Sequence, residues 1–303
     1  MSEVIMIGLG RMGGNMARRL LRHGFQVIGY DHDPQALQVL EQEGLTGSSS
    51  LSDAVQKAKP PRLVWLMLPA GQITESTLEA LIPLLSPGDL VVDGGNAYYE
   101  DSLRRAQLLK ERGLHFADVG VSGGIWGLEN GYGLMMGASP EDATRIEPLL
   151  KALAPAPDRG WVHAGPVGAG HFTKMVHNGI EYGMMQALAE GLEIVRKKEE
   201  FHVNLPALAE AWRYGTVIRS WLLDLTAEAL AEDPELKDVA PVVADSGEGR
   251  WTVLEAVRLG VSAPVITHSL YRRFESQDQE GFAAKLLAMM RKGFGGHKVV
   301  RRD

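Results

Sequence analysis

Five short apolar runs, near residues 3–8, 25–31, 62–68, 89–93 and 115–121, alternate with helix-period segments near 12–22, 34–43, 74–85 and 99–112. Within each run the hydrophobicity is continuous, not alternating, so both faces of the strand must be covered. Strands buried on two faces and separated by helices specify a doubly wound, parallel α/β sheet of Rossmann type. "YGLMMGA" (132–138), a helix beginning at Pro140 and a short strand at 161–163 are expected to complete it.

Beyond "GPVGAG" (165–170) the strand signals stop. A helical pattern runs from about Gly170 to Lys198, a rod of roughly 40 Å. Further helices are expected over 206–231, 251–259 and 264–276, with a loop at 231–250 and a non-helical tail at 293–303. The expected division is a doubly wound α/β domain, 1–164, and an all-helical C-terminal domain, 165–303.

The net charge of -7 argues against a general nucleic-acid binder but leaves room for local arginines around an anionic substrate. With no cysteine there is no disulfide, thiol nucleophile or thiolate metal site, which fits the cytoplasm. "MSEVIMIGLG" has no basic leader, and no apolar run approaches the ~20 residues that cross a bilayer.

"GLGRMGGNMA" places Gly8, Gly10 and Gly13 between the first strand and the first helix, with Leu9, Arg11 and Met12 in the same turn. In that context the spacing is a dinucleotide fingerprint: a tight turn, a close backbone approach to pyrophosphate, and close helix–strand packing. Asp31 ends the second strand, where ribose hydroxyls are expected. Its carboxylate would repel a 2′-phosphate by up to ~4 kcal/mol at an effective dielectric near 20, so NAD is expected over NADP, with a protonated His32 able to soften the preference.

"KMVHNGIEYG" carries Lys174, His177, Asn178 and Glu181 at i, i+3, i+4 and i+7, four polar groups on one helical face. Gly179 and Gly183 lie on the opposite side, where close packing explains them. The next turn, with Met184, Met185, Ala187 and Leu188, is apolar nearly all round, so the stripe is expected to line a pocket in a buried helix.

Together "GLGRMGGNMA", "LMLPAG", "DGGN", "DVGVSGG", "GPVGAGHFTKMVHNGIEYG" and "GRWT" resemble the 6-phosphogluconate dehydrogenases, among the β-hydroxyacid dehydrogenases, in their short form. The resemblance implies oxidative decarboxylation of 6-phosphogluconate to ribulose 5-phosphate, a step of the pentose phosphate pathway, without a metal. It makes Lys174 the general base and Glu181 the acid, so the lysine must arrive neutral and the glutamate protonated. It assigns Leu68 and Pro69 to the cofactor, Asn96 to nicotinamide and substrate, and Ser122, Gly123 and Gly124 to the sugar acid. His177 and Asn178 would hold the substrate's carboxylate and hydroxyls. Tyr182 and Arg273, with Arg272 as the alternative, would hold its phosphate.

"MRKGFGGH" supplies Arg291 and His297, which in the family reach into a neighbouring site, implying a homodimer or homotetramer. One departure stands out. Longer members carry a phosphate-binding lysine in the loop before Gly-Lys-Trp-Thr, whereas "SGEGRWT" has Glu248 there and Arg250 beside Trp-Thr. The competing readings are another β-hydroxyacid dehydrogenase, acting on 3-hydroxyisobutyrate or gluconate, and a nucleotide-binding module without turnover.

Overall fold

The computed structural model describes residues 3–301 and separates into two compact units, Met1–His177 and Asn178–Asp303. The first holds β1 (Glu3–Ile7), α1 (Arg11–Arg22), β2 (Gln26–Tyr30), α2 (Pro34–Gln42), β3 (Thr46–Gly47), α3 (Leu51–Lys57), β4 (Leu63–Leu66), α4 (Gln72–Leu81), β5 (Leu90–Asp93), α5 (Tyr99–Lys110) and β6 (His115–Ser122). After these come α6 (Gly127–Asn130), β7 (Gly133–Gly137), α7 (Pro140–Leu153) and β8 (Trp161–Gly165), and then α8 (Ala169–Lys197), which runs across the division.

The sheet order is β3-β2-β1-β4-β5-β6-β7-β8. Met6, Trp65 and Val92 of adjacent strands pack on one face, and Ile5, Ile7, Val64, Leu66 and Val91 on the other. This is why the runs are continuously apolar: each such side chain loses about 1.5–3 kcal/mol if exposed. All strand pairs are parallel except β6 with β7, which is antiparallel and corrects the all-parallel expectation. The link between those strands holds only a 3₁₀ turn and one-turn α6, too short for the crossover that parallel strands need. Sequence periodicity also passed over β3 and α3. The strand is two residues long, and α3 is capped by Ser50, whose Oγ accepts the Asp53 N–H at 3.0 Å.

The second unit contains α9 (Leu205–Trp212), α10 (Trp221–Glu232), α11 (Glu248–Leu259), α12 (Pro264–Gln277) and α13 (Phe282–Gly295). The single helix expected over 206–231 is two, broken at Gly215 in a left-handed turn (φ 72°) and restarted by Ser220, which caps Leu223. The helix α11 starts inside the expected loop, and α13 takes in residues 293–295 of the expected tail. No described helix is long and apolar enough to cross a membrane.

Candidate active site

The nucleotide turn is built by contact distances that exclude side chains. Gly8 has φ 88°, and a Cβ there would lie 2.4 Å from the Met67 carbonyl oxygen. A Cβ on Gly13 would lie 1.9 Å from the Gly8 carbonyl oxygen, so α1 begins pressed against the turn. Gly10 is exposed with open space above it, and Arg11 beside it is exposed too. An open backbone at a helix N-terminus fits a pyrophosphate. Leu9 sends its side chain into the core, and Met12 is half-buried against the same cluster.

Asp31, at the carboxyl end of β2, is fixed by that turn. One carboxylate oxygen accepts the Leu9 N–H at 2.5 Å and the other the Asp33 N–H at 2.8 Å, with His32 Nδ1 3.0 Å from the latter. The carboxylate is therefore held in one orientation by backbone donors. Leu68 lies against Gly8, and the Pro69 carbonyl accepts from Thr74 Oγ1 at 2.8 Å. Asn96 is exposed beyond β5, and Tyr98, not Asn96, occupies the N-cap of α5. Its loop is held by Asp93, which accepts the Gly95 N–H at 3.1 Å and pairs with the fully buried Arg105 at 2.6 Å.

Lys174, the expected base, lies on α8 and packs against the next strand. A Cβ on Gly120 of β6 would fall 2.3 Å from Lys174 Cβ and 2.8 Å from the Gly170 carbonyl oxygen, so α8 rests on the strand at its second turn. Asp118, two residues earlier and wholly buried, receives the start of that helix, its oxygens accepting the Gly168 N–H at 2.5 Å and the His171 N–H at 2.7 Å. Burial pushes its carboxyl up, and His171 and the two N–H donors work against that shift. His171 Nδ1 lies 2.7 Å from Ser102 Oγ of α5, tying α8 to a second element. Ser122 ends β6, and Gly123 and Gly124 turn away from it in left-handed conformations, φ 126° and 53°. The sequence reading missed Asp118, His171 and Ser102. Asp118 opens "DVGVSGG", but its partners lie about fifty positions downstream, where no local spacing can show them.

In the second unit Gly179 and Gly183 pack as expected: their Cβ positions fall 2.6 Å from Thr252 and 3.3 Å from Val265. Asn178 and Glu181 are half-buried, as Lys174 is in the first unit, while His177 is exposed. The wholly buried helix is corrected, because Met184 and Met185 are 44% and 39% exposed. Within this unit Thr252 and Val265 cover the glycine side of α8, and Arg273 Nη2 reaches Met185 Sδ at 3.7 Å. Tyr182 is buried, its hydroxyl 3.0 Å from Ser246 Oγ and 3.4 Å from Asp245, and the Arg273 guanidinium stacks 3.4 Å from the ring centroid. Arg272 instead pairs with Glu275. Arg291 lies on α13 and His297 just past it, both exposed, with the His297 ring against Phe294.

A sequence model described as the NAD binding domain of 6-phosphogluconate dehydrogenase matches residues 3–165, and one for that enzyme's C-terminal domain matches 170–297. A Haloferax volcanii protein named as an NAD(+)-dependent, decarboxylating 6-phosphogluconate dehydrogenase is 40% identical over 299 residues, 98% of each chain. The solved Plasmodium falciparum 6-phosphogluconate dehydrogenase, described with NADP+ and with 6-phosphogluconate, superposes with a TM-score of 0.82 at 27% identity, covering 99% of this chain and 66% of that one. A Mycobacterium tuberculosis 3-hydroxyisobutyrate dehydrogenase shares the fold, with a TM-score of 0.73 at 22% identity over 94% of both chains.

Proposed function

The chain belongs to the 6-phosphogluconate dehydrogenase family, and from that membership we propose that it converts 6-phosphogluconate to ribulose 5-phosphate and carbon dioxide, with NAD preferred over NADP, in the cytoplasm. The observation that carries the reading is Lys174 seated on Gly120, on the strand whose end leads into Ser122, Gly123 and Gly124. The strands β1, β2, β4, β5 and β6 are parallel, so the glycine turn, Asp31, Asn96 and the serine loop all lie at one carboxyl edge, where such sheets bind ligands. The open face over Gly10 fits a dinucleotide, which when bound supplies the hydride acceptor for C3 of the sugar acid.

Lys174 takes the proton of the 3-hydroxyl as that carbon is oxidised, then returns it to the 3-keto oxygen while the C1 carboxylate leaves as carbon dioxide. Glu181 protonates the carbon of the enediol so formed. Ser122 and its glycines, with Asn96, His177 and Asn178, hold carboxylate and hydroxyls, and Tyr182 and Arg273 hold the phosphate. The dinucleotide domain is residues 1–164 and the substrate domain 165–303, with Arg291 and His297 completing the site of a second copy in a homodimer or homotetramer. NAD preference rests on the prealigned Asp31 carboxylate.

The test incubates the protein with 6-phosphogluconate, gluconate or 3-hydroxyisobutyrate, each with NAD or NADP, while reduced cofactor and carbon dioxide are followed together. Equimolar release from 6-phosphogluconate with NAD is expected. Reduction without carbon dioxide would sink the decarboxylating reading.

A further inference from the structure

We propose that Arg250, oriented by Asp245, is a second phosphate-binding residue of the substrate site and sets its preference for a phosphorylated sugar acid. The inference rests on the assignment of the phosphate to Tyr182 and Arg273. It answers what supplies positive charge in a chain whose "SGEGRWT" loop lacks a lysine. Glu248 does not stand in the way, since its side chain is buried in the first turn of α11.

Four side chains form one connected corner in the second unit. Asp245 is at its centre, its side chain only 5% exposed. One of its oxygens accepts the Gly247 N–H at 3.0 Å and lies 3.4 Å from the Tyr182 hydroxyl. The other accepts from Arg250 Nε at 2.5 Å. Next to Arg250, Gly249 abuts Tyr182 so closely that a Cβ would fall 2.5 Å from Cε2 of the ring. Arg250 is thus planted beside the same tyrosine that Arg273 covers.

Both guanidiniums are stacked, Arg250 at 4.6 Å from the Phe274 ring centroid and Arg273 at 3.4 Å from that of Tyr182. Stacking occupies the flat faces and leaves the edges, which are what read phosphate oxygens. Arg273 spends Nη1 on the Ala244 carbonyl at 2.8 Å and sets Nη2 3.7 Å from the weak acceptor Met185 Sδ, which a phosphate oxygen would displace. Arg250 meets Asp245 through Nε, which leaves Nη1 and Nη2 for a further acceptor on a side chain that is 58% exposed. Among these four side chains two arginines stand against one carboxylate, and the exposed cation of the set, Arg250, is suited to a phosphate monoester carrying about -1.5 to -2 charges. Asp245 draws Arg250 toward Tyr182 without cancelling both cations.

The experiment measures KM and kcat for 6-phosphogluconate in the full-length protein and in Arg250→Ala, Arg250→Lys and Asp245→Asn, with inorganic phosphate as competing probe. Arg250→Ala is expected to raise KM roughly 10- to 100-fold, the size of a lost hydrogen bond to a charged group, with kcat held within about twofold. Arg250→Lys should recover part of the loss, and Asp245→Asn should raise KM less than Arg250→Ala. Phosphate should inhibit the wild type competitively and Arg250→Ala more weakly. A KM for Arg250→Ala within twofold of wild type, or phosphate inhibition of equal strength in both, overturns the proposal. Wild type that fails to turn over 6-phosphogluconate refutes the proposed function instead. In that case Arg250-dependent binding of inorganic phosphate, measured by calorimetry, still supports the site, and its absence overturns it.

Discussion

Replacing Gly120 by alanine tests whether the strand sets the position of Lys174, the proposed base. The added Cβ would stand 2.3 Å from Lys174 Cβ, whereas carbon atoms rest at about 3.5–4.0 Å. The helix must therefore rise by more than about 1 Å, or the strand bend by as much, and overpacking of this kind costs about 1–3 kcal/mol. A displacement near 1 Å at a reacting group lowers rates by about 100-fold. Stopped-flow reduction of the cofactor should show that fall in the chemical step, while cofactor affinity, set at the β1 and β2 turn, changes less than about twofold. The control is Gly191→Ala on the same helix, where a Cβ meets nothing within 4 Å. Helix propensity then predicts a gain of about 0.5–1 kcal/mol in urea unfolding and unaltered turnover. Wild-type kcat in Gly120→Ala would refute the idea that this contact locates Lys174.

Asp31→Ser should raise the NADP-to-NAD ratio of kcat/KM by up to roughly 1000-fold, the equivalent of about 4 kcal/mol. It should also weaken NAD itself, because the Leu9 N–H loses its acceptor. Lys174→Met should abolish turnover while leaving cofactor binding intact, measured by fluorescence titration. Deleting residues 291–303 should raise the substrate KM and spare the NAD KM, and equal values would remove the tail from the site. Glu75 is held below the usual carboxylate range, first by its hydrogen bond to Arg104 and then by Arg105. Its contribution is complete above about pH 4.3 and disappears as pH falls through the lower folded-state value. Urea midpoints of the wild type should consequently drop more steeply than those of Glu75→Gln below about pH 4.3.

The parts of the molecule that could be read in advance are those with a local signature. Continuous strands announced the sheet, three glycines the nucleotide turn, and the spacing of Lys174, His177, Asn178 and Glu181 a shared helical face. What escaped depends on partners far away in the chain. The seat of Lys174 is made by Gly120, Gly170 and Asp118, and a buried carboxylate capping a helix from another element leaves no periodic trace. Tyr182 could be named, but not that Asp245 and Ser246, more than sixty positions later, meet its hydroxyl. The exposure of Met184 and Met185 shows the converse: an apolar pattern says that a surface wants cover, and cannot say whether its own chain supplies it.

The contact between β6 and α8 also bears on when the site is assembled. Ser122 closes the strand that carries Gly120, and Lys174 of α8 packs on that glycine, so one strand positions both the serine turn and the proposed base. Their separation is fixed once α8 docks on the sheet, so substrate binding need spend little conformational entropy on bringing them together. Heating should accordingly leave kcat on a smooth Arrhenius line until the sheet itself melts.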